Sequence, residues 1–373
     1  MTQKYKISFI IEHALGHITY GQNLQRNVAH DHEIEDFWSF PQQPKSGIQA
    51  LPGIRNWTLQ ASTQANRSIK QLVDANNRPD AIFFHTQVTA VLARKWMNEI
   101  PSVVSLDATP IQYDSVGEVY EHASGPAMLE NLKYNMNKAC YDRATHLVTW
   151  SEWTRSSLMS DYGVSGDKIT VIHPGVNVNE WPGADTETLE EPESDNRPVR
   201  ILFVGGNLKR KGGEDLVQAF KAAQSELDNC PIELHIVTRD QVEAGENIFV
   251  YNNMTVNSPE LKNLYKQADI FCMPTYGDFL PMVLSEAAAS GLPLISTDIA
   301  ANRERIQPGE NGLLVEPGNI REIKEAIMTL AQNPAERKEM GKNALEHTRR
   351  SFDAQANALQ LFDLLKSVAG KPS

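Results

Sequence analysis

Short apolar runs alternate with longer helical patterns along almost the whole chain, and that alternation most restricts the fold. In the first half the strand-like runs fall at 6–11, 34–40, 81–85, 102–107, 146–150 and 168–173. In the second half they fall at 199–204, 232–237, 248–251, 269–273, 293–297 and 312–315. Near-continuous apolar strands with helices between them belong to parallel sheets covered on both faces. Two such series in succession predict two doubly wound α/β domains. A chain of 373 residues is about the length that two domains require.

Between the series lies PGADTETLEEPESDNRP, residues 182–198. It is acidic, contains proline and is nearly free of apolar residues, so it reads as an exposed linker. The expected division is therefore 1–181 for the first domain, 182–198 for the linker and 199–351 for the second domain. A final helix covers 352–373, with Phe352, Leu359, Phe362 and Leu365 at helical spacing. That apolar stripe needs a surface to pack on.

Composition excludes several classes. Hydrophobic residues make up 41% and charged residues 22%, as in soluble globular proteins. A net charge of −12 argues against a nucleic-acid partner, which calls for a basic face. No apolar run reaches the roughly 20 residues that span a bilayer, and the first run, broken by Ser8, is too short for a signal peptide. Peripheral membrane contact stays open. Cys140, Cys230 and Cys272 are widely separated and form no CxxC pair, which points to no metal site and a reducing, cytoplasmic setting.

The segment VRILFVGGNLKRKGGEDLVQAF, residues 199–220, runs from an apolar strand into Gly205, Gly206 and Asn207. Three cations follow, Lys209, Arg210 and Lys211, then Gly212 and Gly213 and an amphipathic helix. Glycines permit close approach of backbone to ligand, a helix N-terminus favours anions, and the cations suit a diphosphate leaving group. There is no GxGxxG and no GxxxxGK[ST], so neither a dinucleotide fingerprint nor a Walker loop is present. A solvated turn-forming loop is the competing reading of this segment by itself.

The segment FCMPTYGDFLPMVLSEAAASGLPLIST, residues 271–297, reads strand, loop, helix, turn, strand. Asp278 falls in the loop and Glu286 within the helix, beside Ala287, Ala288 and Ala289. A loop acid near a helix start suits sugar hydroxyls, and an acid further along suits a vicinal diol such as a ribose. A turn aspartate and a surface helical glutamate are the ordinary alternatives.

Together these segments resemble the retaining family 4 glycosyltransferases of the GT-B fold, with their glycine/arginine/lysine phosphate loop and E-x7-E motif, here D-x7-E from Asp278 to Glu286. Residues 151–178 and 297–319 resemble the stretches that close the family's first domain and follow its glutamate motif. The resemblance implies two Rossmann-like domains facing across a cleft, with a C-terminal helix crossing back to the first. It implies that Glu286 holds the donor ribose, that Asp278, Phe279 and Leu280 meet the transferred sugar, and that Lys211 meets the diphosphate, with Gly205, Gly206 and Asn207 expected to line the donor site. The family often carries an arginine where this chain has Gly206, and Arg210 is expected to take its place.

The first domain is expected to serve the acceptor. Its opening loop EHALGHITYG, residues 12–21, places Gly16 where the family has a glycine-rich turn near the donor sugar, and it carries His13 and His17. His85 ends an apolar run, at the edge of a parallel sheet where ligands gather. Spare structural histidines are the competing reading for all three. Asp107 ends the run 102–107, where relatives often have a histidine close to the reacting sugar, and Thr109 lies beside it as a further acceptor-side candidate. A carboxylate there suits a developing oxocarbenium; alternatively Asp107 caps the turn before Thr109 and Pro110.

The expected chemistry is retaining transfer of a hexose from a UDP- or GDP-sugar to a glycan, lipid-linked or small-molecule hydroxyl. Lys211 and Arg210 replace a metal ion at the leaving group, no D-x-D clamp is present, and no cofactor beyond the donor is implied. The rivals are a nucleotide-sugar epimerase of the same fold and a non-catalytic nucleotide-sugar-binding protein.

Overall fold

The computed structural model describes residues 3–13, 16–42, 56–116, 125–184, 197–242 and 245–370. They divide into two compact units, Met1–Pro174 with Ala354–Ser373, and Gly175–Asp353. The division after Pro174 gives the short turns Val178–Glu180 and Pro182–Ala184 to the second unit. Residues 185–196 of the acidic stretch lie outside the described residues.

The first unit contains strands β1 (Tyr5–Ile11), β2 (Ile34–Ser39), β3 (Ala81–His85), β4 (Ser102–Leu106), β5 (His146–Thr149) and β6 (Ile169–Val171). They form one parallel sheet in the order β2-β1-β3-β4-β5-β6. β3 and β4 are buried at every residue, as central parallel strands covered on both faces must be. The expected run at 168–173 shortens to β6 because Gly166–Lys168 forms a 3-10 turn immediately ahead of it.

The second unit contains β7 (Val199–Val204), β8 (Ile232–Val237), β9 (Ile248–Tyr251), β10 (Ile270–Met273), β11 (Leu294–Thr297) and β12 (Gly312–Val315). Its sheet, also parallel, has the order β12-β11-β10-β7-β8-β9. All twelve expected strands are present, and the fold is α/β with two doubly wound sheets.

In each sheet the strand order reverses once. In the first the reversal is at β1/β3, and in the second at β7/β10. The carboxyl ends of strands at such a reversal open the crevice where doubly wound sheets bind ligands. Residues directly after β1, β3, β7 and β10 are therefore the ones the topology places to act.

The helix Ala354–Ala369 belongs to the first unit. It buries Ala354, Ala358, Leu361, Phe362 and Leu365, and the Phe362 ring meets Phe9 edge-on at 6.1 Å. The stripe is offset from the expected one. Leu359 is exposed and Leu361 takes its place. Phe352 precedes the helix and packs in the second unit, its carbonyl accepting from the Val176 N–H at 3.0 Å.

Candidate functional site

At the reversal of the second sheet two loops are stitched together. The Tyr276 N–H donates to the Arg210 carbonyl at 2.9 Å, and the Asn207 side chain accepts from the Arg210 N–H at 2.8 Å. Gly212 makes this approach possible. Its φ is +72°, and a Cβ there would lie 1.9 Å from the Pro274 carbonyl oxygen, so no other residue fits without moving the backbone. The helix Gly213–Glu226 starts immediately afterwards.

Lys211 turns back across the junction. Its Nζ lies 2.6 Å from both carboxylate oxygens of Asp278. Thr275 Oγ1 donates to the same carboxylate at 2.8 Å. Arg210 Nη1 stands 3.5 Å from it and donates to the Gly277 carbonyl. Burial lowers the Lys211 pKa, opposed by Asp278 and reinforced by Arg210. Two cations and one carboxylate are thus held in fixed positions, largely out of water. This arrangement suits a ligand carrying both anionic oxygens and hydroxyls.

Phe279 and Leu280 continue the loop. The Phe279 carbonyl accepts from the Ala301 N–H at 3.2 Å, and Leu280 is buried. Glu286 lies in the helix Met282–Ala289 and is also buried. It belongs to a second cluster, accepting from the Tyr265 hydroxyl at 2.9 Å. Burial raises its pKa to about 7, against the opposing effects of Tyr265, Arg305 and Lys262. Arg305, buried close by with its guanidinium over the Phe352 ring, is pushed down to about 9 by burial.

At the reversal of the first sheet, Ile11 pairs with His85. Gly16 is exposed at the start of the helix Gly16–Val28, with open space at its Cβ position. His17 follows in the first turn. Its Nε2 shares a 3.1 Å hydrogen bond with Asp107 Oδ2, and its Nδ1 is 3.7 Å from Glu12 Oε2. Burial lowers the His17 pKa, but Asp107 and Glu12 together outweigh it and the net shift is upward. Glu12 is anchored by the Thr86 hydroxyl at 2.6 Å and by the indole N–H of Trp57.

The other first-unit candidates differ in character. His85 is fully buried, stacked on Trp150 at 4.8 Å and flanked by His17 and Tyr20. Burial, with His17 adding, holds its pKa well below the ordinary value. It acts as a neutral packing ring beneath His17. Thr109 is fully buried and caps the helix Pro110–Ser115, with its hydroxyl bonded to Ser157 at 2.7 Å. Its hydroxyl therefore faces the helix cap and Ser157 rather than open surface. Thr109 is the helix cap, while Asp107 meets His17 through Oδ2 and accepts from the Ala108 N–H of the turn through Oδ1 at 2.9 Å. His13 lies with its ring 5.9 Å from Phe40, and its N–H donates to the Pro41 carbonyl at 3.2 Å.

Glu12 and Tyr265 were not among the expected residues. Glu12 had one usable signal, its place directly after the first strand. Tyr265 had none, because its role exists only once two helices pack together.

The two doubly wound sheets place the chain in the GT-B fold. The chain superposes on sucrose-phosphate synthase from Thermosynechococcus elongatus with a TM-score of 0.75, at 19% identity over 98% of this chain and 99% of that one. It superposes on HepE from Anabaena, described in complex with UDP and glucose, with a TM-score of 0.65, at 15% identity over 98% and 100%. Residues 185–347 match the family Glycosyl transferases group 1, and residues 28–180 match Glycosyltransferase Family 4. The chain belongs to the family 4 glycosyltransferases. It is similar to the D-inositol 3-phosphate glycosyltransferase of an Arthrobacter species, 27% identical over 218 residues, which are 55% of this chain and 52% of that protein. The match thus spans about half the length of this curated relative. Among the described residues no helix is long and apolar enough to cross a membrane.

Proposed function

We propose that the protein transfers a hexose from a nucleoside diphosphate sugar to a hydroxyl acceptor, retaining the anomeric configuration and using no metal ion. The observation that carries this reading is the convergence of Lys211, Arg210 and Asp278 at the β7/β10 reversal. The two cations supply the positive charge that a departing diphosphate needs, in a site where burial strengthens it. Asp278 accepts from hydroxyls of the transferred sugar, and Glu286 accepts from the donor ribose. The similarity to HepE, described with UDP and glucose, supports a UDP-sugar, with a GDP-sugar as the alternative donor.

In the reaction the bond between C1 of the sugar and the diphosphate oxygen breaks, and its electron pair leaves with the diphosphate. The acceptor oxygen bonds to C1 on the same face, and its proton passes to a leaving diphosphate oxygen. Lys211 and Arg210 stabilise that leaving group as charge builds on it. Asp107, paired with His17, serves the acceptor side from the first unit. The protein acts in the cytoplasm, its three cysteines free.

The test is incubation with UDP-, GDP- and ADP-sugars, with and without a panel of sugar, lipid-linked and polyol acceptors. Nucleotide release that depends on acceptor, with an α-linked product from an α-linked donor, supports the proposal. An isomerised donor, or binding without turnover across the panel, overturns it.

A further inference from the structure

Arg239 directly follows Thr238, at the carboxyl end of β8 and one strand away from the loop that holds Lys211. The loops after β7 and β8 are tied to each other. The Gly205 N–H donates to the Val237 carbonyl at 2.9 Å, and the Leu208 N–H donates to Asp240 Oδ2 at 2.6 Å. This brings the Arg239 guanidinium against the backbone of Gly206. A Cβ at position 206 would lie 2.7 Å from Nη2, 2.9 Å from Nε and 3.2 Å from Cζ. The guanidinium therefore occupies the space that any side chain at 206 would claim.

The charges nearby are not equally engaged. Lys211 and Arg210 already face the Asp278 carboxylate. Arg239 is exposed, and among the described residues it has no hydrogen-bond or ion-pair partner. The backbone N–H groups of Gly206 and Asn207, on the same loop, also have no acceptor among the described residues. A guanidinium lying beside two open amides makes a fork of donors for phosphate oxygens, the geometry that arginine supplies and lysine does not.

We propose that Arg239, admitted by the missing side chain at Gly206, is a diphosphate-binding residue of the donor site. The proposal rests on the donor reading above. Arg239 adds a full positive charge that Asp278 does not offset, so it grips the phosphates in the ground state as well as during bond breaking. Gly206 and Arg239 then form a functional pair: a side chain at 206 displaces the guanidinium without removing its charge.

The experiment is titration calorimetry of UDP, GDP, ADP, inorganic pyrophosphate and uridine against the full chain and its Arg239→Ala, Arg239→Lys and Gly206→Ala variants, with Tm measured for each. Loss of a charged hydrogen-bonded contact is expected to weaken the best-bound diphosphate by roughly 10- to 100-fold in Arg239→Ala. Arg239→Lys and Gly206→Ala are expected to fall between this variant and the wild type. Uridine binding and Tm are expected to change little. If the wild type binds a diphosphate and Arg239→Ala binds it equally well, the Arg239 assignment fails and the donor reading survives. An equal loss of uridine affinity also overturns the assignment, because the residue would then act on more than phosphate. If the wild type binds none of the diphosphates, both readings fall together.

Discussion

Lys211 Nζ lies 2.6 Å from each carboxylate oxygen of Asp278, with both side chains mostly buried. The two residues are 67 positions apart in the chain. The contact exists because β7 and β10 are neighbours at the sheet's reversal. Under the proposed function, a donor that engages Lys211 through its diphosphate shares or replaces this partnership.

Lys211→Ala is accordingly expected to fail in two ways. Turnover falls by about 10²–10³-fold, the loss typical of a donor aimed at developing charge. Stability falls by about 3 kcal/mol, because the buried Asp278 carboxylate loses its main partner. Steady-state kinetics and urea unfolding measure the two separately. A folded variant with undiminished turnover would remove Lys211 from the mechanism.

The proposed role of Glu286 as an ionised ribose acceptor conflicts with stability, and pH exposes the conflict. Burial raises its folded-state pKa to about 7, above the usual 4.5. The fold therefore favours the protonated form. Its stabilising contribution is complete below about pH 4.5 and is lost as pH rises through about 7. Glu286→Gln keeps an acceptor for the Tyr265 hydroxyl and never ionises. It is expected to raise Tm at pH 8, by at most about 3 kcal/mol in unfolding free energy, with little change at pH 4. The same substitution is expected to weaken nucleotide diphosphate binding at pH 8, where the native carboxylate is ionised. Thermal melts at the two pH values decide the first point and calorimetry the second.

The His17–Asp107 pair gives a spectroscopic prediction. Burial by itself lowers the His17 pKa, and Asp107 and Glu12 reverse the sign. In Asp107→Asn the largest raising influence is gone, so the imidazole should titrate at lower pH than in the wild type, as read from its ring C–H proton shifts. A raised histidine stabilises the fold below its unfolded pKa of about 6.5 and ceases to do so as pH rises through the folded value. That pH-dependent component is expected to shrink in the variant. Turnover should fall far more than donor affinity. An unshifted His17 titration would show that the carboxylate does not control it.

Gly212→Ala tests the backbone instead of the charges. With φ at +72° and the Pro274 oxygen 1.9 Å from the added methyl, strain and collision act together. A loss of more than about 3 kcal/mol is expected, seen as a lower urea midpoint. A neutral substitution would mean that the two loops can separate freely.

Much of the fold was legible because parallel strands buried on both faces leave largely apolar runs such as AIFFH and ILFV. Strand ends were less legible, as the 3-10 turn ahead of β6 shows. In the last helix one stripe residue was misplaced by two positions, Leu359 for Leu361, because several apolar residues there satisfy more than one helical stripe. The glycine–cation loop and the two acids were visible as local motifs. What the local pattern did not contain was their pairing. His17 meets Asp107 across 90 positions and Tyr265 meets Glu286 across 21, and such partnerships are decided by strand order and helix packing. The capping position of Thr109 was hidden for a related reason: a capping threonine and a ligand-binding one look alike until the helix it starts is seen.

The helix Ala354–Ala369 completes the first unit although the entire second unit precedes it in the chain. During synthesis the ribosome therefore releases residues 1–174 without the segment that covers Phe9. The continuous second unit is free to mature ahead of the first, reversing the usual N-terminal-first order. Until the last helix emerges, the nascent chain carries an uncovered aromatic face, a natural target for chaperone capture and a liability whenever translation stalls before residue 354.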